Sequence, residues 1–194
     1  MLLKKPFPVA LAFLLAAISG APQIAIAAEQ AEGRDYYRIQ PGDILNVSVW
    51  KEEGMAQEVI VRPDGMISFP LAGETEAAGH SVGEVQELLT QRLAKYIPDP
   101  VVTVSMRALS GNRIYIIGKV NRPGDFPMTR LTDVMQALSM AGGTSTYAAL
   151  NKIKILRRTN GVLKAIPFRY GEVEKGEDLE QNIILQAGDV VVVP

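Results

Sequence analysis

Short apolar runs separated by turn-forming residues recur along most of this chain. Within residues 44–50 apolar and polar side chains alternate, so that Leu45, Val47 and Val49 fall on one face. Because the side chains of an extended strand point to alternate sides, this segment is predicted to be a half-buried strand. Similar runs predict further strands over residues 59–62, 66–69, 101–106, 113–117, 153–157, 163–167 and 190–193. The chain is therefore expected to be rich in β-structure.

Two segments have the spacing of helices instead. Residues 82–96 begin at a capping box, in which the Ser81 hydroxyl accepts a hydrogen bond from the Glu84 amide and the Glu84 carboxylate reaches back. The predicted apolar face of this helix consists of Val85, Leu88, Leu89, Leu93 and Tyr96. A second helix is predicted over about residues 132–140, and the pair Gly142-Gly143 supplies the left-handed conformation that ends it.

Proline, glycine, asparagine and aspartate mark the turns between these elements. In Gln40-Pro41-Gly42-Asp43 the proline presets φ at the second turn position, and the glycine accepts the positive φ that follows. The triplets Pro63-Asp64-Gly65 and Thr159-Asn160-Gly161 each separate two predicted strands, and each predicts a β-hairpin. Residues 118–127 are predicted to be a turn-rich block, and residues 172–180 a charged loop.

A short sequence echo places a Gly-Asp pair before an apolar segment three times. Residues 39–45 resemble residues 185–191, and residues 123–126 are a looser third copy. The echo is too short to indicate duplicated domains. It is therefore interpreted as a turn that the fold uses repeatedly.

The N-terminus has the layout of a cleaved secretory signal. A basic pair, Lys4-Lys5, precedes an apolar stretch over residues 7–18, and the small-residue triplet 25–27 follows. Cleavage is predicted between Ala27 and Ala28. The alternative is an uncleaved membrane anchor, but the apolar stretch is shorter than the about 20 residues that a membrane-spanning helix needs. Residues 1–27 are therefore predicted to be a signal peptide and residues 28–35 a flexible leader.

Composition excludes several classes of protein. The sequence has 20 basic and 21 acidic residues, and no basic run indicates a nucleic-acid partner. It contains no cysteine and one histidine, His80, which excludes disulfides, thiolate metal sites and histidine-rich metal sites. No phosphate-binding glycine loop is present. No metal or cofactor is therefore predicted.

Four aspartates could be offered as the acid pair of a glycosidase. They are Asp43, Asp64, Asp125 and Asp189, and each stands beside a glycine. In such turns an aspartate side chain usually caps the local backbone, so the structural interpretation is preferred. With a lone histidine on a polar loop and no cysteine, no acid–base or nucleophilic constellation is recognisable. No catalytic residue is predicted.

Several ordered segments resemble a known family. Residues 37–50 resemble the opening of the polysaccharide export domain, and residues 61–73 resemble the signature that follows it. Residues 117–124 and 138–143 are similar to the SLBB module, a β-grasp-like ligand-binding fold, and residues 185–194 fit its last strand. No single motif is specific, but the ordered set covers nearly all of the chain that follows the signal peptide.

The resemblance implies an α+β fold with two domains. A small β-rich polysaccharide export domain is expected over residues 36–110 and a β-grasp-like SLBB domain over residues 111–194, each with one main helix. The turn residues that belong to the family motifs, interpreted as structural, are Pro41, Gly42, Asp43, Pro63, Asp64, Gly65, Gly118, Pro123, Gly124, Gly142, Gly143, Gly188 and Asp189.

The resemblance also implies a role in the bacterial envelope. Members of the family form periplasmic rings that pass exopolysaccharide or capsule chains outward, together with an inner-membrane copolymerase. The sequence has no cysteine for a lipid anchor and no segment after Pro194 for an amphipathic helix that spans the outer membrane. It is therefore expected to be a short form, a homo-oligomeric ring associated with the outer membrane through partners, with a separate outer-membrane β-barrel completing the path.

Five aromatic residues are candidates for contacts with the polysaccharide, because aromatic faces stack on sugar rings. They are Tyr36, Tyr37, Trp50, Tyr115 and Tyr147. The alternative for each is packing in a core or an interface. An alternative also remains for the whole protein, namely a monomeric periplasmic glycan-binding or scaffold protein with no conduit. The native mass distinguishes this alternative from a ring.

Overall fold

The computed structural model describes residues 37–194. The predicted signal peptide, its cleavage site between Ala27 and Ala28, the leader and Tyr36 lie outside the described residues. The strands are β1 (Ile44–Val49), β2 (Ala56–Ile60), β3 (Met66–Phe69), β4 (Gly73–Glu76), β5 (Val102–Ala108), β6 (Arg113–Gly118), β7 (Gly124–Pro127), β8 (Ile153–Thr159), β9 (Val162–Phe168) and β10 (Val190–Val193). The α-helices are α1 (Val82–Leu93), α2 (Val134–Met140) and α3 (Tyr170–Glu174), and two 3₁₀ turns cover Leu150–Lys152 and Leu179–Gln181.

The first hydrophobic core, here called the N-terminal core, is built by β1 to β5 and α1. Three antiparallel strands form a sheet in the order β2-β1-β5, and β3 pairs with β4 as a separate hairpin. The alternation read from the sequence is confirmed, because Leu45, Val47 and Val49 on β1 are all buried. On α1 the side chains at helical spacing, Val85 and Leu89 among them, pack into the same cluster. Each such buried side chain contributes about 1.5–3 kcal/mol of hydrophobic free energy.

The second core, here called the C-terminal core, lies between a five-stranded sheet and α2. The strand order is β7-β6-β10-β8-β9, with β10 parallel to β6 and antiparallel to β8. Alternate residues, such as Ile114 and Ile116 on β6, face the core, where Leu138 of α2 packs on them. The predicted α+β fold, with one main helix on each core, is confirmed.

The hairpin predicted at Pro63-Asp64-Gly65 is wrong, although the turn itself is present. The Gly65 amide donates to the Arg62 carbonyl at 2.9 Å, but β2 pairs with β1 and β3 pairs with β4. Val61 already exchanges backbone hydrogen bonds of 2.8 Å with Gly42 and Asp43. The strand that enters the turn is therefore held by β1 before β3 begins. The second predicted hairpin is confirmed, since β8 and β9 pair up to a two-residue turn.

Other elements also differ from the sequence interpretation. The helix predicted to reach Tyr96 ends at Leu93, and Tyr96 is 64% exposed while Ile97 packs on the core in its place. The predicted turn block contains strand β7, because Phe126 packs on the C-terminal core. The predicted charged loop contains helix α3, because Val173 is buried there.

Candidate functional site

A buried carboxylate, Asp43, closes the turn that precedes β1. Its side chain is 0% exposed. One carboxylate oxygen, Oδ2, accepts hydrogen bonds from the Tyr37 hydroxyl at 2.6 Å and from the Gln40 amide at 2.9 Å. The other, Oδ1, accepts one from the Gly111 amide at 2.9 Å. Burial, together with the hydrogen bond and charge of Asp43, raises the pKa of the Tyr37 phenol. Asp43 therefore joins the first of the described residues to the segment that leads into β6.

Asp189 builds the same device in the C-terminal core. Its carboxylate accepts a hydrogen bond from the Gln186 backbone amide at 2.8 Å. The carboxylate of Asp43 likewise accepts one from the backbone amide three positions earlier. The backbone amide of each aspartate donates a hydrogen bond to the backbone carbonyl three positions earlier, at 3.0 Å for Asp43 and 3.1 Å for Asp189. Arg157 forms a two-pronged ion pair with Asp189, with its Nη2 at 2.6 Å and its Nε at 3.0 Å. The sequence echo thus corresponds to one three-dimensional turn used twice.

The other two aspartates of the glycosidase hypothesis lie on the surface. Asp64 accepts a hydrogen bond from the Met66 amide at 3.1 Å, and the hydrogen-bonded guanidinium of Arg62 lowers the pKa of Asp64. Asp125 differs from the expectation, because it lies in β7 and not in a turn, and it accepts a hydrogen bond from Arg113 Nε at 2.6 Å. The third copy of the echo is therefore an edge strand.

All four carboxylates accept hydrogen bonds from backbone amides or arginine side chains. Asp43 accepts a hydrogen bond from the Gly111 amide, whereas Asp189 pairs with Arg157. His80 lies 3.8 Å from Glu84, whose carboxylate already caps α1 and pairs with Arg38. Within residues 37–194 no group of three or more histidine, aspartate or glutamate side chains is arranged to hold a metal ion. The arrangement is suited to fixing backbone turns.

The glycines and prolines of the family motifs lie in turns or at a close contact between backbones. Pro41 and Gly42 form the turn before Asp43, and Gly188 repeats that turn before Asp189, with φ of +94° and +85° at the two glycines. A Cβ added at Gly118 would lie 2.0 Å from the Val193 carbonyl oxygen. The remaining motif residues lie in the turn before β3 (Pro63 and Gly65), at the start of β7 (Pro123 and Gly124) and at the end of α2 (Gly142 and Gly143).

The structure does not gather the candidate aromatic residues into one site. The Tyr37 hydroxyl is bound to Asp43. Trp50 follows β1 and is 70% exposed, Tyr115 on β6 is 44% exposed, and Tyr147 lies in the loop after α2 and is 83% exposed. The three exposed rings belong to three different parts of the chain, namely the residue after β1, strand β6 and the loop after α2.

One face of the sheet of the C-terminal core carries exposed apolar side chains and is here called the open face. Tyr115, Val190, Leu156 and Ala165 are neighbours across four strands on this face, and Ile117 and Leu163 extend it. Tyr115, Ile117 and Leu163 are exposed. The sequence predicted the strand over residues 113–117, but the width of the open face depends on a strand order that the sequence does not state.

A groove at the end of α2 is a feature that sequence reasoning missed. It has a volume of about 390 Å³ and is lined by Met135, Leu138, Ser139, Gly142, Gly143, Thr144 and Tyr170. The Gly142-Gly143 pair was a visible signal for the end of the helix. No local pattern indicates that Tyr170, on α3, closes the groove from the other side.

Among the described residues, no helix has the length and apolar character that crossing a membrane requires.

Comparisons with protein families identify the two parts of this chain. The model described as "Polysaccharide biosynthesis/export protein" matches residues 31–107, and the model described as "SLBB domain" matches residues 112–193. The chain therefore carries a polysaccharide export domain followed by an SLBB domain, and the resemblance read from the sequence is confirmed.

Curated relatives point to the same class of protein. The chain is 31% identical over 184 residues to the EPS I polysaccharide export outer membrane protein EpsA of Ralstonia solanacearum, an alignment that covers 80% of this chain and 47% of EpsA. It is 25% identical over 174 residues to the capsule polysaccharide export outer membrane protein CtrA of Neisseria meningitidis, covering 77% of this chain and 42% of CtrA. The chain thus spans less than half the length of these relatives and is homologous to polysaccharide export proteins.

Proposed function

We propose that this chain is a periplasmic component of an exopolysaccharide or capsule export machine. It guides the polymer from an inner-membrane copolymerase towards the outer membrane and performs no chemistry on it. The observation that carries the proposal is the ordered pair of an export domain and an SLBB domain, which together match residues 31–193 almost without a gap. The names of EpsA and CtrA, both export proteins, support the same role.

A passive role is supported by the hydrogen bonds and the ion pair that engage the aspartates. A glycosidase needs one carboxyl group to donate a proton and a second to attack or to activate water. Asp43 accepts hydrogen bonds from three donors, and Asp189 is bound by Arg157 and a backbone amide. Groups engaged in this way stabilise turns and are not free to act on a sugar.

Assembly into a homo-oligomeric ring is supported by unpaired sheet edges. Within the described residues β2 and β5 border one sheet, and β7 and β9 border the other. On β9 the edge residues Val162 and Leu163 are exposed, next to the open face. Edges and apolar surface of this kind are commonly buried against a neighbouring subunit. We place the boundary between the two domains at Ser110-Gly111, immediately before β6.

Deleting the gene and locating the polymer tests the proposed function. In the deletion strain the polysaccharide is expected to leave the cell surface and to accumulate behind the outer membrane, and a plasmid copy is expected to restore it. Polymer is measured separately in the surface, periplasmic and cytoplasmic fractions. Normal surface polymer in the deletion strain would contradict the proposal.

A separate outer-membrane β-barrel is part of the same proposal. Cross-linking and purification of the protein from envelopes are expected to recover the inner-membrane copolymerase on one side and an outer-membrane β-barrel on the other. Recovery of this chain alone as an integral outer-membrane pore would contradict the need for a separate β-barrel.

A further inference from the structure

The groove at the end of α2 has a rigid rim. The Gly143 amide donates to the Leu138 carbonyl, and the Gly142 amide donates to the Ser139 carbonyl, both at 2.9 Å. Positive φ at both glycines completes the Schellman motif, a common way to end a helix. The backbone of the rim is therefore fixed before any ligand arrives.

A second chain segment holds the same rim from outside. The Asn121 amide donates to the Gly143 carbonyl at 3.1 Å, and the Arg122 amide donates to the Ala141 carbonyl at 2.9 Å. The Asn121 side-chain amide donates to the Gly142 carbonyl at 2.6 Å. These bonds use the backbone acceptors of the rim, so the polar groups that remain for a ligand are side-chain hydroxyls.

The walls of the groove combine an aromatic ring with hydroxyl groups. Tyr170 packs against the C-terminal core with part of its surface and lines the groove with the rest. The hydroxyls of Ser139, Thr144 and Tyr170 make no hydrogen bond to any residue within 37–194. Met135 provides apolar surface beside them, whereas Leu138 is only 2% exposed and adds little.

This combination matches the chemistry of a sugar ring. A pyranose presents C–H groups on its faces, which pack on aromatic and apolar side chains, and hydroxyls on its rim, which exchange hydrogen bonds with other hydroxyls. The volume of about 390 Å³ lies within the range of about 300–1,000 Å³ that small-ligand sites occupy. None of the lining residues is an acid or a base of the Asp, Glu, Lys, Arg or His type, so the groove favours an uncharged ligand.

We propose that the groove between α2 and Tyr170 binds one uncharged pyranose unit of the polysaccharide in transit. This inference rests on the proposed export function and adds a defined contact to it. None of the aromatic residues singled out from the sequence belongs to this groove. A shallow open groove with three hydroxyls favours brief contacts, which a moving polymer requires because each unit has to be released.

The probe for the test is a set of oligosaccharides made by partial acid hydrolysis of the extracellular polysaccharide of the cells that produce this protein. They are titrated into the isotopically labelled full protein, purified from those cells, while backbone amide shifts are recorded by NMR. Saturable shifts are expected to concentrate at Ser139, Gly142, Gly143 and Thr144. No saturable shift, or saturable shifts confined to other residues, would overturn the inference.

Substitutions separate the groove from the rest of the surface. Ser139→Trp fills the groove from an exposed helix position and is expected to weaken binding at least tenfold, whereas Thr159→Trp, exposed at the end of β8, is expected to leave it unchanged. Tyr170→Phe keeps the ring and removes one hydroxyl, with an expected loss of about three- to tenfold, the equivalent of one hydrogen bond. Equal affinity of all variants and the unmodified protein would overturn the inference.

The failure of this inference and the failure of the proposed function give different results. If the deletion strain still exports its polymer, the proposed function fails. If export needs the protein but the oligosaccharides do not bind at Ser139 and Thr144, only the groove assignment fails. Loss of binding in Ser139→Trp with an unchanged melting temperature supports the assignment.

Discussion

At the scale of single residues, two buried aspartates determine how the chain turns into its strands. The carboxylates of Asp43 and Asp189 each accept a hydrogen bond from the backbone amide three positions earlier. Each aspartate also follows a glycine with positive φ. Each also binds a distant partner, the Gly111 amide for Asp43 and Arg157 for Asp189. A buried carboxylate is tolerated when its oxygens are satisfied by such donors. The residues that look most like catalytic acids are therefore best explained as turn anchors.

Replacing Asp43 by asparagine tests this anchor. The substitution keeps the size but turns an NH₂ group towards donors that need an acceptor. The free energy of unfolding is expected to fall by about 2–4 kcal/mol, since hydrogen bonds to a charged group contribute strongly and the loss leaves buried amides unsatisfied. Urea denaturation followed by circular dichroism measures the change.

Asp125→Asn is the matched control, because Asp125 stands in the third copy of the echo. Its carboxylate pairs with Arg113 at the surface, with 51% of the Asp125 side chain exposed. Exposed ion pairs contribute about 1 kcal/mol or less. A loss for Asp43→Asn no larger than that for Asp125→Asn would contradict the anchoring role.

Gly118→Ala tests the close approach of β6 to the last strand. The added Cβ would lie 2.0 Å from the Val193 carbonyl oxygen, on a residue with φ of +96°. We expect a loss of more than about 3 kcal/mol in the free energy of unfolding, because backbone cannot move aside as a flexible side chain can. Denaturant titration of the purified variant measures it.

The comparison for Gly118 is Gly161→Ala in the β8–β9 turn. That glycine has φ of +79° but nothing within 4 Å of the added Cβ. Only the cost of a left-handed conformation remains, about 1–2 kcal/mol. Similar losses for the two variants would mean that the contact with Val193 is relieved at little cost.

At the scale of elements, α1 illustrates how local signals determine a boundary. The Glu84 amide donates to the Ser81 hydroxyl at 3.3 Å, and the Ser81 amide donates to the Glu84 carboxylate at 2.6 Å. Hydrogen bonds from the Ser81 backbone and side chain, helped by Arg38, lower the pKa of Glu84, which favours the ionised form that caps the helix. The start of the helix follows from four consecutive residues.

Ser81→Ala is expected to lower the free energy of unfolding by about 0.5–2 kcal/mol, because it leaves the Glu84 amide without its cap. Ser105→Ala provides the control, since Ser105 is exposed on β5 and caps nothing. Thermal and urea denaturation of both variants supply the comparison. If both serines could be replaced at equal cost, the capping box would not stabilise α1.

The sequence predicted elements whose causes are local and missed those whose causes are distant. The β8–β9 hairpin follows from Asn160-Gly161, whose positive φ values fit a two-residue turn. The hairpin at Pro63 failed because β1, far back in the chain, already held Val61. Strand β7 was hidden by Pro123 and Gly124, which are typical turn residues, and its pairing with β6 depends on tertiary packing.

The groove was beyond prediction for the same reason. Ser139 and Thr144 are close in sequence, but Tyr170 reaches them only after two strands and a 3₁₀ turn have intervened. Its position depends on packing against the C-terminal core. The two-domain class, in contrast, was predictable, because ordered segments along the sequence resemble the polysaccharide export domain and the SLBB module.

At the scale of the whole molecule, the unpaired edges and the open face predict self-assembly. Light scattering on the purified full protein is expected to give a native mass that is a whole-number multiple of the chain mass, with one dominant closed species. Closed assemblies satisfy every copy of a repeated interface, whereas open ones continue to grow. A strict monomer at high protein concentration would contradict the ring and favour a monomeric scaffold.

The most direct measurement of the export role asks whether the polymer touches this protein while it leaves the cell. A photo-activatable residue is placed in turn at Trp50, Tyr115 and Tyr147, three exposed positions, in cells fed a radiolabelled sugar. Light is expected to attach labelled polymer to the protein in at least one variant, and blocking polymer synthesis is expected to abolish the product. Labelled polymer that reaches the cell surface without attachment to any of the three variants would contradict the export role.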